Sequence, residues 1–265
     1  MAKCWICGLP ANSAEHRTKK SDLVTLYGPG PYKGNNALLL IKSGEKIPIQ
    51  GPNSKYVKYD KILCYKCNNQ FTQPFDKAYE NFISYIRDNK SLILNKRFID
   101  FQDVYGDEFE VCQRNLFKYF VKSFCCRLID ANYPVPKDLK VLLFRKSFLT
   151  RLRINFSIND DPPVLRDLVV GKGNLWARPQ KNPPPDSRWS KAFEWIKAIT
   201  RPPIYEWSEF FEWITVWYWY NTVPDGRLGS VWIANSQFIY FGSHTVLSIE
   251  EREKLIEKSN IDVSE

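Results

Sequence analysis

The chain has 265 residues, 44% of them hydrophobic and 15% aromatic, which excludes wholesale disorder and is enough for one large domain or two ordinary ones. Its net charge of +9 is uneven: +8 over residues 1–100 (16 Lys and Arg against 8 Asp and Glu), +6 over 101–200 (17 against 11) and −5 over 201–265 (5 against 10). No run approaches the ~18 apolar residues of a membrane span, and a basic front suits a polyanion such as nucleic acid as well as it suits a merely solvated surface.

The first motif is Cys4-Trp5-Ile6-Cys7-Gly8, a C-x-x-C knuckle whose glycine permits the turn. With no apolar leader ahead of it, the expected compartment is the cytoplasm, where paired thiols bind metal rather than form disulfides. Ala14-Glu15-His16-Arg17 begins a strand or turn. Residues 28–53 are rich in Gly, Pro and Asn, with short apolar runs at 37–41 and 46–49 that pair as a hairpin; the stretch reads as an irregular, lysine-dotted surface without a core of its own. The second knuckle, Cys64 and Cys67, lies 56 residues beyond the first, far more than the ~15–20 of a compact zinc ribbon. Something is therefore inserted between the halves of one tetrahedral site. Asn68 and Asn69 follow at once, just before or within the first turns of a helix over 72–87, where Phe75, Ala78, Tyr79, Phe82, Ile83 and Ile86 recur at three and four. Two strands followed by a helix is the order this predicts.

Further on, residues 115–128 read as a buried helix with Cys125 and Cys126 as core thiols, and 141–158 mixes apolar and basic residues. Residues 161–163 and 179–186 read as loops, 189–199 as an amphipathic helix, and 210–220 and 230–241 as strands about a turn at Asp225-Gly226. His244 is expected in a loop. Ser248-Ile249-Glu250-Glu251 is a capping box opening a helix to residue 258. The tryptophans at 207, 213, 217, 219 and 232 suit a core or interface better than base stacking.

Cys4, Cys7, Glu15, His16, Cys64, Cys67 and Asn68 together resemble the HNH (His-Me finger) endonucleases of the zinc-stapled kind, over about a third of the chain. The resemblance implies an α+β protein: an N-terminal ββα-metal (His-Me finger) domain over residues 1–90, closed by a structural four-cysteine Zn²⁺ site, and an aromatic-rich C-terminal α+β domain over 91–265 for target recognition or partner binding. It further implies His16 as general base, Glu15 and Asn68 as oxygen ligands of a catalytic Mg²⁺ or Mn²⁺, and Asn69 in possible support. The middle Asn of the motif stays open between Asn36, Asn53 and Asn69. Arg17, Lys19 and Lys20 are candidate phosphate contacts. The implied activity is metal-dependent hydrolysis of DNA, with the choice between DNA and RNA left open by the sequence, in bacterial or phage genome conflict. Two other readings stand beside it: a non-catalytic zinc-containing nucleic-acid-binding or scaffold subunit, and a nuclease effector released by a partner ATPase or sensor. A protein partner or a second copy of the chain would dock through the C-terminal region.

Overall fold

The computed structural model describes residues 2–33, 38–42, 45–146, 150–160, 203–211, 213–245, 250 and 253–254. Strands β1 (Ser13–His16) and β4 (Lys58–Leu63) pair antiparallel, Ser13 opposite Leu63 and His16 opposite Lys58. Five steps along β4 match three along β1, so β4 carries extra residues that kink the ladder beside Glu15. Between them come helix α1 (Lys20–Tyr27) and the expected hairpin of β2 (Leu38–Lys42) and β3 (Glu45–Ile49).

This insert is more than an irregular surface. Leu23, Tyr32, Ile49 and Val57 form a small buried core of their own, with Tyr27 and Leu38 against it. The Tyr32 hydroxyl donates to the carbonyls of Leu23 and Gly28, at 3.2 and 3.0 Å, and so ties the loop back onto α1. Each of the four residues comes from a different element, so no periodic stripe announced them.

After β4 a π-helical turn (Cys67–Phe71) leads into α2 (Gln73–Asp88), with Pro74 in its first turn, where no intrahelical N–H is needed. The six apolar residues that predicted this helix are all buried. Helix α3 (Lys90–Lys96), strand β5 (Phe98–Asp100) and helix α4 (Phe101–Tyr105) connect to the long helix α5 (Phe109–Asp130), and α6 (Lys137–Phe144) follows. Helix α5 is the centre of the molecule. Tyr119 stacks on Tyr79 of α2 with ring centroids 3.9 Å apart. Phe120 and Phe124 pack against Phe156 and Tyr218 of the main sheet. Cys125 and Cys126 are fully buried, as expected.

That sheet has the order β10-β6-β8-β7, formed by β6 (Leu152–Asn159), β7 (Tyr205–Phe211), β8 (Ile214–Tyr220) and β10 (Gly242–His244), with only β10 running parallel to its neighbour. A separate two-stranded ladder pairs β5 with β9 (Phe238–Tyr240). Three expectations are corrected here. The strand over 210–220 is mostly the second arm of a hairpin whose first arm begins at Tyr205, and the buried Trp213 stands at its turn. Only Phe238–Tyr240 of the expected strand over 230–241 is β9. His244 lies in β10 rather than a loop, its Nδ1 bonded to Ser157 Oγ and its Nε2 to Thr215 Oγ1, both at 2.8 Å. Gly242, at the start of β10, lets the backbone of the turn at 227–229 pack against it, since a Cβ there would lie 2.1 Å from the Arg227 carbonyl oxygen. Trp213 and Trp232 are core residues.

Buried residues from either side of residue 90 belong to one continuous core. Among the described residues no helix is long and apolar enough to cross a membrane. The elements expected at 161–163, 179–186 and 189–199 lie outside the described residues, as does the final helix apart from Glu250, Glu253 and Lys254.

Candidate active site

The four knuckle cysteines converge. Their sulfurs all lie within 4.8 Å of one another, Cys7 Sγ and Cys64 Sγ at 3.6 Å, and Cys4, Cys64 and Cys67 are buried. The first knuckle closes through Gly8 N–H donating to the Cys4 carbonyl at 2.8 Å, with Gly8 at φ 81°, where a side chain would be strained. The Cys67 N–H points at Cys64 Sγ from 3.4 Å. Burial raises the Cys67 thiol, and hydrogen bonding to its sulfur neighbours raises it further; on Cys64, hydrogen bonds outweigh burial and bring it down to about 7. Four thiols this close ionise together only around a cation, and a soft dication such as Zn²⁺ fits the donor set. The cluster staples the N-terminal knuckle to the junction of β4 and α2.

His16 ends β1. The backbone of Pro52 beside the ring acts to raise its pKa, against the other influences on it. His16 Nε2 is buried and has no partner. In the tautomer that carries its proton on Nδ1, Nε2 holds a lone pair. Burial lowers the imidazole pKa below its ordinary value, and the charges of Lys58, Lys20 and Lys122 lower it further. His16 is accordingly a neutral base at pH 7 in a positive field. Lys20 is exposed and Lys58 half-buried, so both are accessible to an anion beside the ring.

Asn68, in the π-helical turn, docks on β1: its Nδ2 donates to Ser13 Oγ at 3.0 Å and reaches the Ala14 carbonyl at 3.4 Å. Ala14 O can only accept, which fixes the amide orientation and leaves Oδ1, buried and without a partner, as an open oxygen donor. Asn69 is exposed, with its amide on the Tyr65 carbonyl of its own turn; that contact gives no sign of a role in the site. Asn53 is exposed beside Pro52, and Asn36 lies outside the described residues.

Glu15 is where the structure adds a residue that sequence reasoning missed. Its Oε1 pairs at 3.1 Å with Lys122 Nζ from the middle of α5. Lys122 is 2% exposed and also touches Asp76 at 3.4 Å and Thr72 Oγ1 at 3.2 Å, so each ammonium hydrogen has an acceptor. Burial works against the charge on Lys122, but Glu15 and Asp76 outweigh it and hold the ammonium charged; burial pushes the Glu15 carboxyl up while Lys122 pulls it back. Thr72 donates in turn to the Asn68 carbonyl at 3.0 Å. Five residues further along α5, Arg127 donates to the Arg17 carbonyl at 3.3 Å and pairs with Glu209 of β7. One helix thus holds the chain on both sides of His16. A lysine inside an apolar helix pattern was the available signal.

Two of the three candidate phosphate contacts are engaged within the fold. Arg17 forms a bidentate pair with Asp130 and lies over the Tyr59 ring, and Lys19 pairs with Glu80 at 2.8 Å near the Tyr79 and Tyr119 rings. Both are thus tied to carboxylates of the fold, while Lys58 and Lys20 are the lysines whose charge bears most on His16. Comparison with models of known protein families, with curated proteins and with solved structures returned no match.

Proposed function

We propose that this chain is an endonuclease of the HNH type that hydrolyses phosphodiester bonds in DNA with His16 as general base. The observation that carries the reading is the buried, unpartnered Nε2 of His16, in the field of Lys58 and Lys20, on a strand pair stapled by four cysteines to a following helix. Nε2 takes a proton from water, the hydroxide oxygen bonds to phosphorus, and the bond to the 3′ oxygen breaks; the leaving oxygen takes a proton from solvent and His16 returns its own to solvent, leaving a 5′-phosphate and a 3′-hydroxyl. The two lysines hold the phosphate by its charge.

A catalytic Mg²⁺ or Mn²⁺, as the resemblance implies, would offset charge on the phosphate and the leaving oxygen. Asn68 Oδ1 suits such an ion, but Glu15 already holds an ammonium. A dication ~4 Å from a fixed unit cation meets roughly 8 kcal/mol of repulsion at an effective dielectric of ~20. The pair Glu15 and Asn68 therefore does not fit the ion as it stands, and no step is drawn through it. The same pairing favours one second reading, a zinc-stapled nucleic-acid-binding module without catalysis.

The experiment that separates the two is nicking of supercoiled plasmid by zinc-loaded wild type and His16→Ala. The nuclease reading expects wild-type cutting to fall by about 10²–10⁴-fold in the variant; no cutting by either protein, with salt-sensitive DNA binding retained, supports the module. The acid limb of the rate gives a further expectation. Because burial and neighbouring lysines depress the His16 pKa, kcat/KM should rise with pH and level off about a midpoint below ~6.5. A midpoint above that value contradicts the assignment of His16.

A further inference from the structure

We propose that Lys122 is the resident cation of this site, holding Glu15 in the place that the family resemblance gives to a divalent ion. The inference rests on reading Glu15 as the neighbour of the reacting base. Its support is geometric. The ammonium lies 3.1 Å from Glu15 and 3.4 Å from Asp76, with Thr72 Oγ1 as third acceptor at 3.2 Å, so its hydrogen-bonding capacity is filled by one residue of β1 and two from the N-terminal end of the α2 segment. At 2% exposure it cannot touch a substrate. It is a positioning residue: it fixes Glu15 directly and reaches Asn68 through Thr72, whose hydroxyl donates to the Asn68 carbonyl.

Two carboxylates facing one another across a buried lysine are what a divalent ion would otherwise bridge. Lys19 lies on the far side of Asp76, at 3.5 Å, and Glu80 neutralises Lys19 at 2.8 Å. With Lys19 answered by Glu80, the single charge of Lys122 faces two carboxylates, Glu15 and Asp76, and touches both directly. A divalent ion and Lys122 compete for the same oxygens, and the lysine, tethered to α5, is present at every ion concentration.

The test is Mn²⁺ binding to the zinc-loaded full chain, followed through the EPR signal of free Mn²⁺, for wild type, Glu15→Gln, Lys122→Met and the double variant. The expected result is that wild type and Glu15→Gln bind Mn²⁺ alike within threefold, that Lys122→Met binds at least tenfold more tightly, and that the double variant loses the gain. Wild type binding tenfold more tightly than Glu15→Gln overturns the proposal, as does a folded Lys122→Met with no gain. Should Lys122→Met not fold, the comparison of wild type with Glu15→Gln still decides. The readout is independent of cleavage, so a failure of this proposal and a failure of the nuclease reading are told apart by separate measurements.

Discussion

Cys64→Ser is expected to strip the protein of zinc and to lower its stability by more than any other single exposed or metal-site change. Zinc content should fall from one per chain to near zero, because a serine hydroxyl does not replace a thiolate at a tetrahedral site. Structural zinc contributes an apparent ~10–16 kcal/mol in isolated finger peptides. Here helix α5 and the main sheet keep a core that does not depend on the metal, so the expected loss is a fraction of that, about 3 kcal/mol or more. Cys64 stands between β4 and the π-helical turn, so the loss also frees Asn68 from β1 and loosens the pairing that places His16. Cys112→Ser, outside the cluster, serves as the control and should retain the metal. Zinc assay and thermal unfolding measure both effects, and a zinc-free Cys64→Ser with an unchanged Tm would show that the staple holds nothing.

Glu209→Gln is expected to cost about 3–5 kcal/mol, because it leaves the Arg127 guanidinium charged and uncompensated inside the fold. Arg127 and Glu209 are 6% and 8% exposed, and Tyr218 donates to the same carboxylate at 3.0 Å. The contrast is Asp130→Asn, which breaks the Arg17 pair at side-chain exposures of 22% and 35% and should cost about 1 kcal/mol or less. Urea unfolding at constant m-value reads both. Equal costs for the two variants would contradict the assignment of Arg127 as the buried tie between the main sheet and the backbone beside His16.

What was legible in the sequence followed from local spacing. The cysteine knuckles, the β2–β3 hairpin and the apolar faces of α2 and α5 all repeat within a turn or a few residues, and each stands where spacing placed it. Glu15, His16 and Asn68 were singled out as candidates by their position relative to the cysteines. What stayed hidden were partners supplied by residues far away. Arg17 and Lys19 carry charges that suit phosphate, but their partners Asp130 and Glu80 lie 113 and 61 residues further on. Lys122 sits among apolar neighbours on a helix, where a cation is most often at the edge of the buried face; only the fold brings Glu15 and Asp76 onto it. The small core of the insert escaped for the same reason, since Leu23, Tyr32, Ile49 and Val57 meet only after the chain has turned back on itself.

The central claim is that the lone pair on His16 Nε2 removes the proton from the attacking water. Its most direct test is chemical rescue: plasmid cleavage by zinc-loaded His16→Gly with imidazole added at increasing concentration. The account predicts that the glycine variant is inactive and that imidazole restores cutting in proportion to its unprotonated fraction. Wild-type cutting by the glycine variant without imidazole, or a folded, zinc-loaded variant that imidazole leaves inactive while wild type cuts, would contradict it.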